Sequence, residues 1–228
     1  MADEKGTAIV TGASGALGAA VLGRLIGRGY HVVAPLIESE IPTHLQGLDT
    51  ADFVTGVDLT DDAAVSAYFC GLESADIAIN IAGGFLFKPI AETSAEDVLT
   101  QFRMNALSCF LACREEIALM GKGDGGAIVN VAARPALRPE LGASMTAYTM
   151  AKAGVAALTE ALAAEAKDLG VRVNAVAPSI IDTPANREAM PDADPSGWVS
   201  PQAIARLAQG LAENEAINGA VVPIYGDV

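Results

Sequence analysis

Tyr148 and Lys152 place a phenol and an ammonium four residues apart, in the segment Tyr-Thr-Met-Ala-Lys. In a helix, side chains at this spacing share a face, so both groups can converge on one reacting atom. A free phenol has a pKa of about 10, and a neighbouring ammonium lowers it by stabilising the phenolate. The pair therefore fits a tyrosine that acts as general acid or base, although by itself this spacing more often marks an ordinary helix-surface contact.

A glycine-rich turn near the start of the chain could bind phosphate. Residues 11–18 read Thr-Gly-Ala-Ser-Gly-Ala-Leu-Gly and follow a predicted strand. Glycines let the backbone approach a pyrophosphate, and the helix that follows offers its N-terminal N–H groups to the anion. The alternative is an ordinary turn between a strand and a helix. The candidate cofactor contacts in this turn are Gly12, Ser14, Gly15, Ala16, Leu17 and Gly18.

Short apolar runs and longer helical patterns alternate along the chain, and these elements must position the two motifs. The predicted strands are residues 7–11, 31–36, 52–57, 77–81, 127–132, 172–177 and 220–224. The predicted helices are residues 17–28, 61–70, 94–120, 146–168 and 201–214. Strands that are apolar throughout are typical of a parallel sheet covered on both faces. The pattern predicts an α/β fold, a single doubly wound domain over residues 1–228, with an irregular substrate loop at about 182–200.

Composition excludes several function classes. The 228 residues are 51% hydrophobic, which is enough for one large core, and the net charge is −14. A chain this acidic, with only 5% aromatic residues, lacks the surface that binds nucleic acid or an anionic membrane. We therefore expect a small-molecule substrate and neither a nucleic-acid nor a membrane partner.

The cysteines and the first residues favour a cytoplasmic protein. Three cysteines, Cys70, Cys109 and Cys113, form no disulfide or metal-site pattern, so we expect buried thiols and no metal. Residues 1–5 lack the basic and apolar regions of a secretory signal, and no apolar run reaches the length of a membrane helix.

The cofactor preference depends on the end of the second strand. Dinucleotide sites often place an acid there, where it accepts a hydrogen bond from the ribose. Leu36 holds that position, with Glu38 and Glu40 close behind, and no Lys or Arg lies between Arg28 and Lys88. Two acids without a nearby cation would repel a 2′-phosphate, so the sequence favours NAD over NADP, unless both acids are simply solvated. The histidines, His31 and His44, lie outside every motif.

Taken together, these motifs resemble the short-chain dehydrogenase/reductase family over essentially the whole chain. The resemblance implies a single Rossmann domain with a mostly parallel seven-stranded sheet, a nicotinamide cofactor (NAD or NADP) and a catalytic Tyr148–Lys152 pair. It also implies that Asn105 holds a proton-relay water beside Lys152. Further cofactor contacts implied by the resemblance are Asp58 and Leu59 at the adenine, Asn80, Ala82 and Gly83 at the end of strand four, and Pro178, Ile181 and Thr183 after strand six.

Two positions depart from the family pattern. Ala16 replaces the usual middle glycine of the turn, and Ala133 stands where the family has a catalytic serine after strand five. Alanine cannot donate a hydrogen bond to the substrate oxygen, and losing such a donor typically costs about 10²–10³ in rate. Ser144 or Thr146 could substitute, although both lie close to Tyr148 in the chain.

The dihydropteridine reductase branch shares the missing serine and resembles this chain elsewhere. The similar segments are residues 15–18, 82–85 and 182–194. A planar, electron-poor pterin needs an aromatic platform more than it needs a serine donor. The candidate substrate contacts are Phe85, Ala133 and Trp198, with core or loop packing as the alternative for both aromatic residues.

These motifs are compatible with three functions. The first is a reductase that transfers hydride to a small carbonyl or quinonoid substrate. The second is a cofactor-binding sensor or scaffold with lost catalysis, and the third is a 3-oxoacyl or ketone reductase with another donor. The Ala-rich helices 94–120 and 146–168 are apolar on more faces than one sheet covers, which predicts a homodimer or homotetramer.

Overall fold

Short apolar segments form seven parallel strands in the computed structural model, which describes residues 5–227. The strands are β1 (Thr7–Thr11), β2 (His31–Pro35), β3 (Ala51–Val54), β4 (Ile77–Asn80), β5 (Gly126–Val131), β6 (Val171–Pro178) and β7 (Val221–Ile224). They hydrogen-bond in the order β3-β2-β1-β4-β5-β6-β7, and each neighbouring pair is parallel. Strands β1, β2 and β3 follow one another towards one edge of the sheet, whereas β4 to β7 follow one another towards the other edge. The direction reverses between β1 and β4, and the carboxyl ends of these two strands border a crevice. The predicted doubly wound α/β fold is confirmed.

Helices cover both faces of the sheet. They are α1 (Ala16–Ile26), α2 (Asp62–Cys70), α3 (Ala95–Gln101), α4 (Ser108–Met120), α5 (Arg134–Leu137), α6 (Thr146–Glu165), α7 (Pro184–Ala189) and α8 (Pro201–Glu213). Leucine and valine side chains of α1 pack with α8 in one hydrophobic cluster. Apolar residues of α2, α4 and α6 form the second cluster on the other face. Polar residues begin several of these helices; Asp61, Ser94 and Ser200 each accept a hydrogen bond from an N–H of the first turn.

The two edge strands differ from the prediction of strands buried on both faces. Residues of β3 alternate between half-buried and exposed, and no residue of β7 is fully buried, because each strand has a neighbour on one side only. The third strand, predicted over 52–57, ends at Val54. Gly56 then turns the backbone with a φ of +74°, which favours glycine and takes the chain out of the sheet.

The predicted helix over 94–120 is not continuous. Between α3 and α4, residues Phe102–Leu107 form a π-helical segment that carries Asn105 on its inner side. A π turn inserts one residue into a helix, and such turns often occur at functional sites. The predicted helix over 146–168 ends earlier, at Glu165, and a 3-10 turn (Lys167–Leu169) follows it.

The loop predicted at 182–200 contains local structure that the sequence pattern did not indicate. It includes α7, whose first turn Thr183 caps, and a 3-10 turn at Pro195–Gly197. The prediction that all three cysteines are buried was wrong for Cys70, which ends α2 and is exposed, whereas Cys109 and Cys113 are buried.

Residues 5–227 contain neither a membrane-spanning helix nor a metal-binding cluster. None of the helices in this part of the chain is long and apolar enough to cross a membrane. Within the same residues, no group of three or more His, Cys, Asp and Glu side chains is arranged to hold a metal ion. The hypothesis that the first residues carry no secretory signal concerns residues 1–4, which lie outside the described part of the chain.

Candidate active site

Tyr148 and Lys152 lie one turn apart near the start of α6, as predicted. The side chain of Lys152 is buried, and its Nζ donates a hydrogen bond to the carbonyl oxygen of Val131 at 2.7 Å. Burial disfavours the charged amine and lowers the pKa of Lys152 to about 8. Burial also raises the pKa of Tyr148 to about 12. The ammonium therefore lies on the backbone of β5, and the expected lowering of the Tyr148 pKa by Lys152 is not present in this arrangement.

Asn105 is brought to the same place by the π-helical segment. Its Nδ2 donates to the carbonyl oxygens of Gln101 and Gly84, both at 3.0 Å, and its Oδ1 accepts from the N–H of Gly84 at 3.3 Å. A Cβ on Gly83 would lie 2.5 Å from Asn105 Oδ1 and 3.5 Å from Lys152 Nζ. Glycine at position 83 thus leaves the space in which two of the predicted catalytic residues, Asn105 and Lys152, approach each other.

Phe85 contacts the candidate catalytic tyrosine directly. The rings of Phe85 and Tyr148 meet edge to face, with centroids 5.1 Å apart and an interplanar angle of 82°. The ring of Phe85 is 60% exposed, so an apolar surface remains open beside the phenol. The backbone N–H of Lys88 donates to the carbonyl oxygen of Ser144 at 2.5 Å, which ties the segment carrying Phe85 to the loop before α6.

The residue after β5 carries a methyl group where a hydroxyl was expected. Ala133 has an extended backbone, precedes α5 and is buried. Ser144, one of the two possible substitutes, has a left-handed backbone with a φ of +60°. This conformation is strained for a residue other than glycine, and such strain often occurs at functional sites. Thr146, the other candidate, begins α6.

Trp198 is only 8% exposed, so its ring presents little surface to a substrate. The residue after it, Val199, pairs with Ile181 in an isolated bridge between the two ends of the 182–200 loop. Phe85 therefore contacts Tyr148, and Ala133 lies two residues after the strand carbonyl that Lys152 binds. Trp198 has a packing position.

The glycine-rich turn has the geometry of an anion site. Gly12 has a φ of +69°, and a Cβ there would lie 2.8 Å from the backbone nitrogen of Ala82. A Cβ on Gly18 would overlap the carbonyl oxygen of Gly12, so α1 packs tightly on the turn. Gly15 is the N-cap of α1 and supplies no side-chain acceptor, which leaves the first-turn N–H groups for a ligand.

The buried side chains of Thr11 and Asn80 connect the carboxyl ends of β1 and β4 by hydrogen bonds. Thr11 Oγ1 accepts from the backbone nitrogens of Ile81 and Ala82 at 3.1 and 3.3 Å, and it donates to Asn80 Oδ1 at 3.3 Å. Asn80 Nδ2 donates to Glu116 Oε2 at 2.8 Å and to Asn130 Oδ1 at 3.1 Å. The side chain of Asn80 is thus committed to the interior, so its predicted cofactor contact would have to use the backbone.

Comparisons with known proteins agree with this geometry. The sequence profile of the family described as short chain dehydrogenase matches residues 6–194. The chain belongs to this family. The 3beta-hydroxysteroid dehydrogenase 1 of Eggerthella lenta is 31% identical over 94% of this chain and 89% of its own length. The D-threitol dehydrogenase of Mycolicibacterium smegmatis is 32% identical over 96% of this chain and 91% of its own length.

A solved structure shows the same fold. The structure titled "ElxO with NADP Bound" superposes with a TM-score of 0.89, over 97% of this chain and 98% of that chain, at 24% identity. This short-chain dehydrogenase is an NAD(P)-dependent oxidoreductase, as the family and its dehydrogenase relatives show. Which of the two dinucleotides it prefers depends on residues outside the catalytic group.

The remaining predicted cofactor contacts of this short-chain dehydrogenase fall into two groups. Leu36 and Leu59 are buried, and the carboxylate of Asp58 accepts from the N–H and hydroxyl of Thr60 at 2.8 Å. Their contact with the adenine stays a prediction. Pro178 ends β6, and the hydroxyl of Thr183 accepts from the N–H of Asn186 at 3.2 Å. The Asn186 side chain donates to the carbonyl oxygen of Ile181 at 2.8 Å, which stabilises the start of the 182–200 loop.

Two residues near the dehydrogenase site were missed from the sequence. Glu116 is fully buried in α4, and burial raises the pKa of its carboxyl to about 8. The sequence did contain a signal for this burial. Glu116 lies three residues after Cys113 and four before Met120, a spacing that puts it on the same buried face of α4. His44 Nε2 lies 3.1 Å from the carbonyl oxygen of Ser14 in the glycine-rich turn. Nothing in the sequence pattern indicated that contact.

Proposed function

We propose that this enzyme transfers hydride between a nicotinamide cofactor and a small substrate, with Tyr148 as the general acid and base. The substrate class is a carbonyl compound and its alcohol, or a quinonoid compound and its dihydro form. The observation that carries the proposal is the position of Lys152 and Asn105 beside Gly83, with Tyr148 one helical turn before Lys152, at the carboxyl ends of β4 and β5. That edge is where open α/β sheets bind their ligands.

The chemistry requires one proton for each hydride. A reduced nicotinamide, when bound, supplies a hydride to the electrophilic atom of the substrate. Tyr148 gives its phenolic proton to the substrate oxygen or nitrogen, so that no free anion accumulates. In the oxidative direction the phenolate takes the proton back. Phe85 packs edge to face against the phenol ring.

Lys152 and Asn105 support this proton transfer in different ways. The buried ammonium of Lys152 favours the phenolate form of Tyr148 whenever its charge faces the phenol. Asn105 holds the backbone of Gly84 by two hydrogen bonds, and a third bond, to the carbonyl oxygen of Gln101, fixes its own side chain. The chain after β4 is thereby held against the π-helical segment. In this proposal Asn105 is a positioning residue for the proton relay.

The preference for NAD over NADP remains part of the proposal. Leu36 is buried at the end of β2, so it presents no acceptor or cation to a ribose or a phosphate. The nearby Glu38 and Glu40 carry negative charge, and residues 29–87 contain no Lys or Arg. A 2′-phosphate therefore meets repulsion that a ribose hydroxyl does not.

A quinonoid dihydropterin is the finer substrate hypothesis. Its support is the absent hydroxyl at Ala133 and the exposed aromatic ring of Phe85 beside Tyr148. The hydroxysteroid and threitol dehydrogenases named above act on alcohols, and they favour the ketone reductase alternative. Offering the NADH complex a quinonoid dihydropterin and, separately, a cyclic ketone distinguishes the two substrate classes by which one oxidises NADH.

The decisive variant is Tyr148→Phe, which removes the proton donor and keeps the ring. We expect its turnover to fall by about 10²–10⁴, with the Kd for NADH unchanged. Tyr30→Phe is the matched control, because Tyr30 is buried and its hydroxyl donates to Glu213 at the end of α8, outside the candidate site. Full turnover in Tyr148→Phe would refute the assignment. Cofactor binding without turnover of any substrate in the wild-type protein would instead favour the sensor alternative.

We also propose a homodimer or homotetramer. Leu99, Phe102 and Phe110 are 46%, 51% and 45% exposed along the α3–α4 segment, which leaves apolar surface available to a second copy. Light scattering at micromolar concentration tests this, and a monomer would contradict it.

A further inference from the structure

His44 lies against the turn that binds the cofactor phosphates. It belongs to a 3-10 turn (Thr43–Leu45) in the segment between β2 and β3. Its Nε2 is 3.1 Å from the carbonyl oxygen of Ser14, although the two residues are 30 positions apart in the chain. The imidazole is exposed, so its other nitrogen is free to meet a ligand.

The Ser14 contact determines which ring nitrogen carries the proton. A carbonyl oxygen only accepts hydrogen bonds, so Nε2 of His44 must be the donor. In the neutral imidazole this leaves Nδ1 as an acceptor, suited to a ribose hydroxyl. When the ring is protonated, Nδ1 becomes a second donor with a positive charge, suited to a phosphate.

Among the residues that the structure describes, the two segments that meet at this contact, 11–18 and 36–50, contain no Lys or Arg. The charged side chains of the 36–50 segment are Glu38, Glu40 and Asp49, and the turn at 11–18 has none. Residues 29–87 contain no Lys or Arg. His31 is the first residue of β2 and therefore lies at the amino ends of the strands, away from the crevice. Its Nε2 lies 2.8 Å from a carboxylate oxygen of Asp52. His44 is therefore the group at the phosphate-binding edge that can acquire a positive charge.

We propose that His44 is a cofactor-recognition residue that sets the balance between dinucleotides with and without a 2′-phosphate. The proposal rests on the nicotinamide cofactor of the proposed function. Neutral His44 holds the turn and leaves the three acids to disfavour the phosphate, so NAD is preferred. Protonated His44 offsets that repulsion and improves binding of NADP selectively.

The test compares dissociation constants of NADH and NADPH, from nicotinamide fluorescence, at about pH 6 and about pH 8. For the wild type we expect the affinity ratio of NADPH to NADH to rise about threefold to fivefold on going to the lower pH, as for one exposed charge pair. His44→Gln keeps a side-chain donor for Ser14 but cannot become charged, so its ratio should change less. Any change that remains in this variant measures titration of the 2′-phosphate itself.

His31→Gln is the matched control, because the sequence contains only two histidines. It should behave as the wild type does. With two histidines, the imidazole resonances are also simple to assign by NMR from the two variants. Adding NADP⁺ should shift the His44 resonances more than NAD⁺ does, and should leave those of His31 unchanged.

The outcomes separate the two proposals. If the wild type binds neither dinucleotide, the proposed function fails and this inference with it. If both bind, but the ratio changes equally in wild type and His44→Gln and the His44 resonance does not respond, the inference alone is overturned. A smaller pH effect in His44→Gln, with an unchanged effect in His31→Gln, supports it.

Discussion

The ammonium nitrogen of Lys152 lies 2.7 Å from the carbonyl oxygen of Val131, the last residue of β5. This contact fixes the start of α6 against the strand whose next residues are Ala132 and Ala133. A buried ammonium is costly unless its donors are satisfied, and the strand backbone provides the acceptor. The position of the charge is therefore set by the sheet, independently of the Tyr148 phenol.

The first prediction concerns the charge of Lys152. Since its pKa is about 8 in the folded protein, the ammonium is lost as the pH rises through that value, and reduction should slow. The unfolded lysine keeps its proton to about pH 10.5, so folding stability should increase between about pH 8 and 10.5. Lys152→Met should abolish the increase, worth about 3 kcal/mol, together with turnover. Urea unfolding at several pH values measures the stability, and a wild-type curve that is flat over this range would contradict the prediction.

The second prediction concerns the buried carboxyl of Glu116. The pKa of this carboxyl is about 8 in the folded protein and about 4.5 in the unfolded chain. Between these two pH values the folded protein therefore keeps a proton on Glu116 that the unfolded chain has lost. Stability should therefore be greatest below about pH 4.5 and should fall as the pH rises towards 8, by ~3–5 kcal/mol from this group. Glu116→Gln keeps an acceptor for Asn80 and should remove the fall. The check is thermal unfolding at pH values from about 5 to 8.5. Glu165→Gln, at the end of α6 and exposed, is the control and should follow the wild type.

The third prediction concerns the space at Gly83. In Gly83→Ala the new methyl group would lie 2.5 Å from Asn105 Oδ1, so Asn105 or Lys152 must move. We expect turnover to fall by about 10²-fold, since displacement of about 1 Å at a catalytic group can cost that much. Gly154→Ala in α6 is the control, because its Cβ would make only an ordinary 3.6 Å contact with Ala106. Its turnover should match the wild type in steady-state assays; equal losses in both variants would point to a general effect on folding.

The fourth prediction concerns the missing serine. Ser144 is held by the N–H of Lys88 and has a φ of +60°, so Ser144→Gly removes the hydroxyl and relieves backbone strain. If Ser144 supplies the donor to the substrate oxygen, kcat should fall by about 10²-fold while the melting temperature is unchanged or higher.

A second variant tests whether a hydroxyl at position 133 can replace that of Ser144. Adding Ala133→Ser to Ser144→Gly should restore part of the lost turnover, because it returns a hydroxyl to the end of β5. If Ser144→Gly keeps the wild-type kcat, Ser144 is not the donor to the substrate oxygen, and its left-handed backbone serves only the shape of the loop. Thr146 would then be the remaining candidate for the donor.

The order of the strands and the placement of Tyr148 and Lys152 on one helix face could be predicted from the amino-acid sequence. Seven strands were predicted within a few residues of their observed ends, since buried parallel strands are continuous apolar runs with turn residues beside them. The relation of Tyr148 to Lys152 was also determined, because helical periodicity alone puts positions i and i+4 together. The helix interruption at Phe102–Leu107 was missed, since its residues are ordinary helix formers.

Contacts between residues that are distant in the chain could be found only in the folded protein. Asn105 meets Gly84 across 21 positions, His44 meets Ser14 across 30, and Glu116 meets Asn80 across 36. Local sequence sets backbone preference and which face is apolar, but a polar side chain takes its partner from whatever the packed sheet brings beside it. The pKa values of Glu116 and Lys152 follow from that packing, because burial is a property of the whole fold.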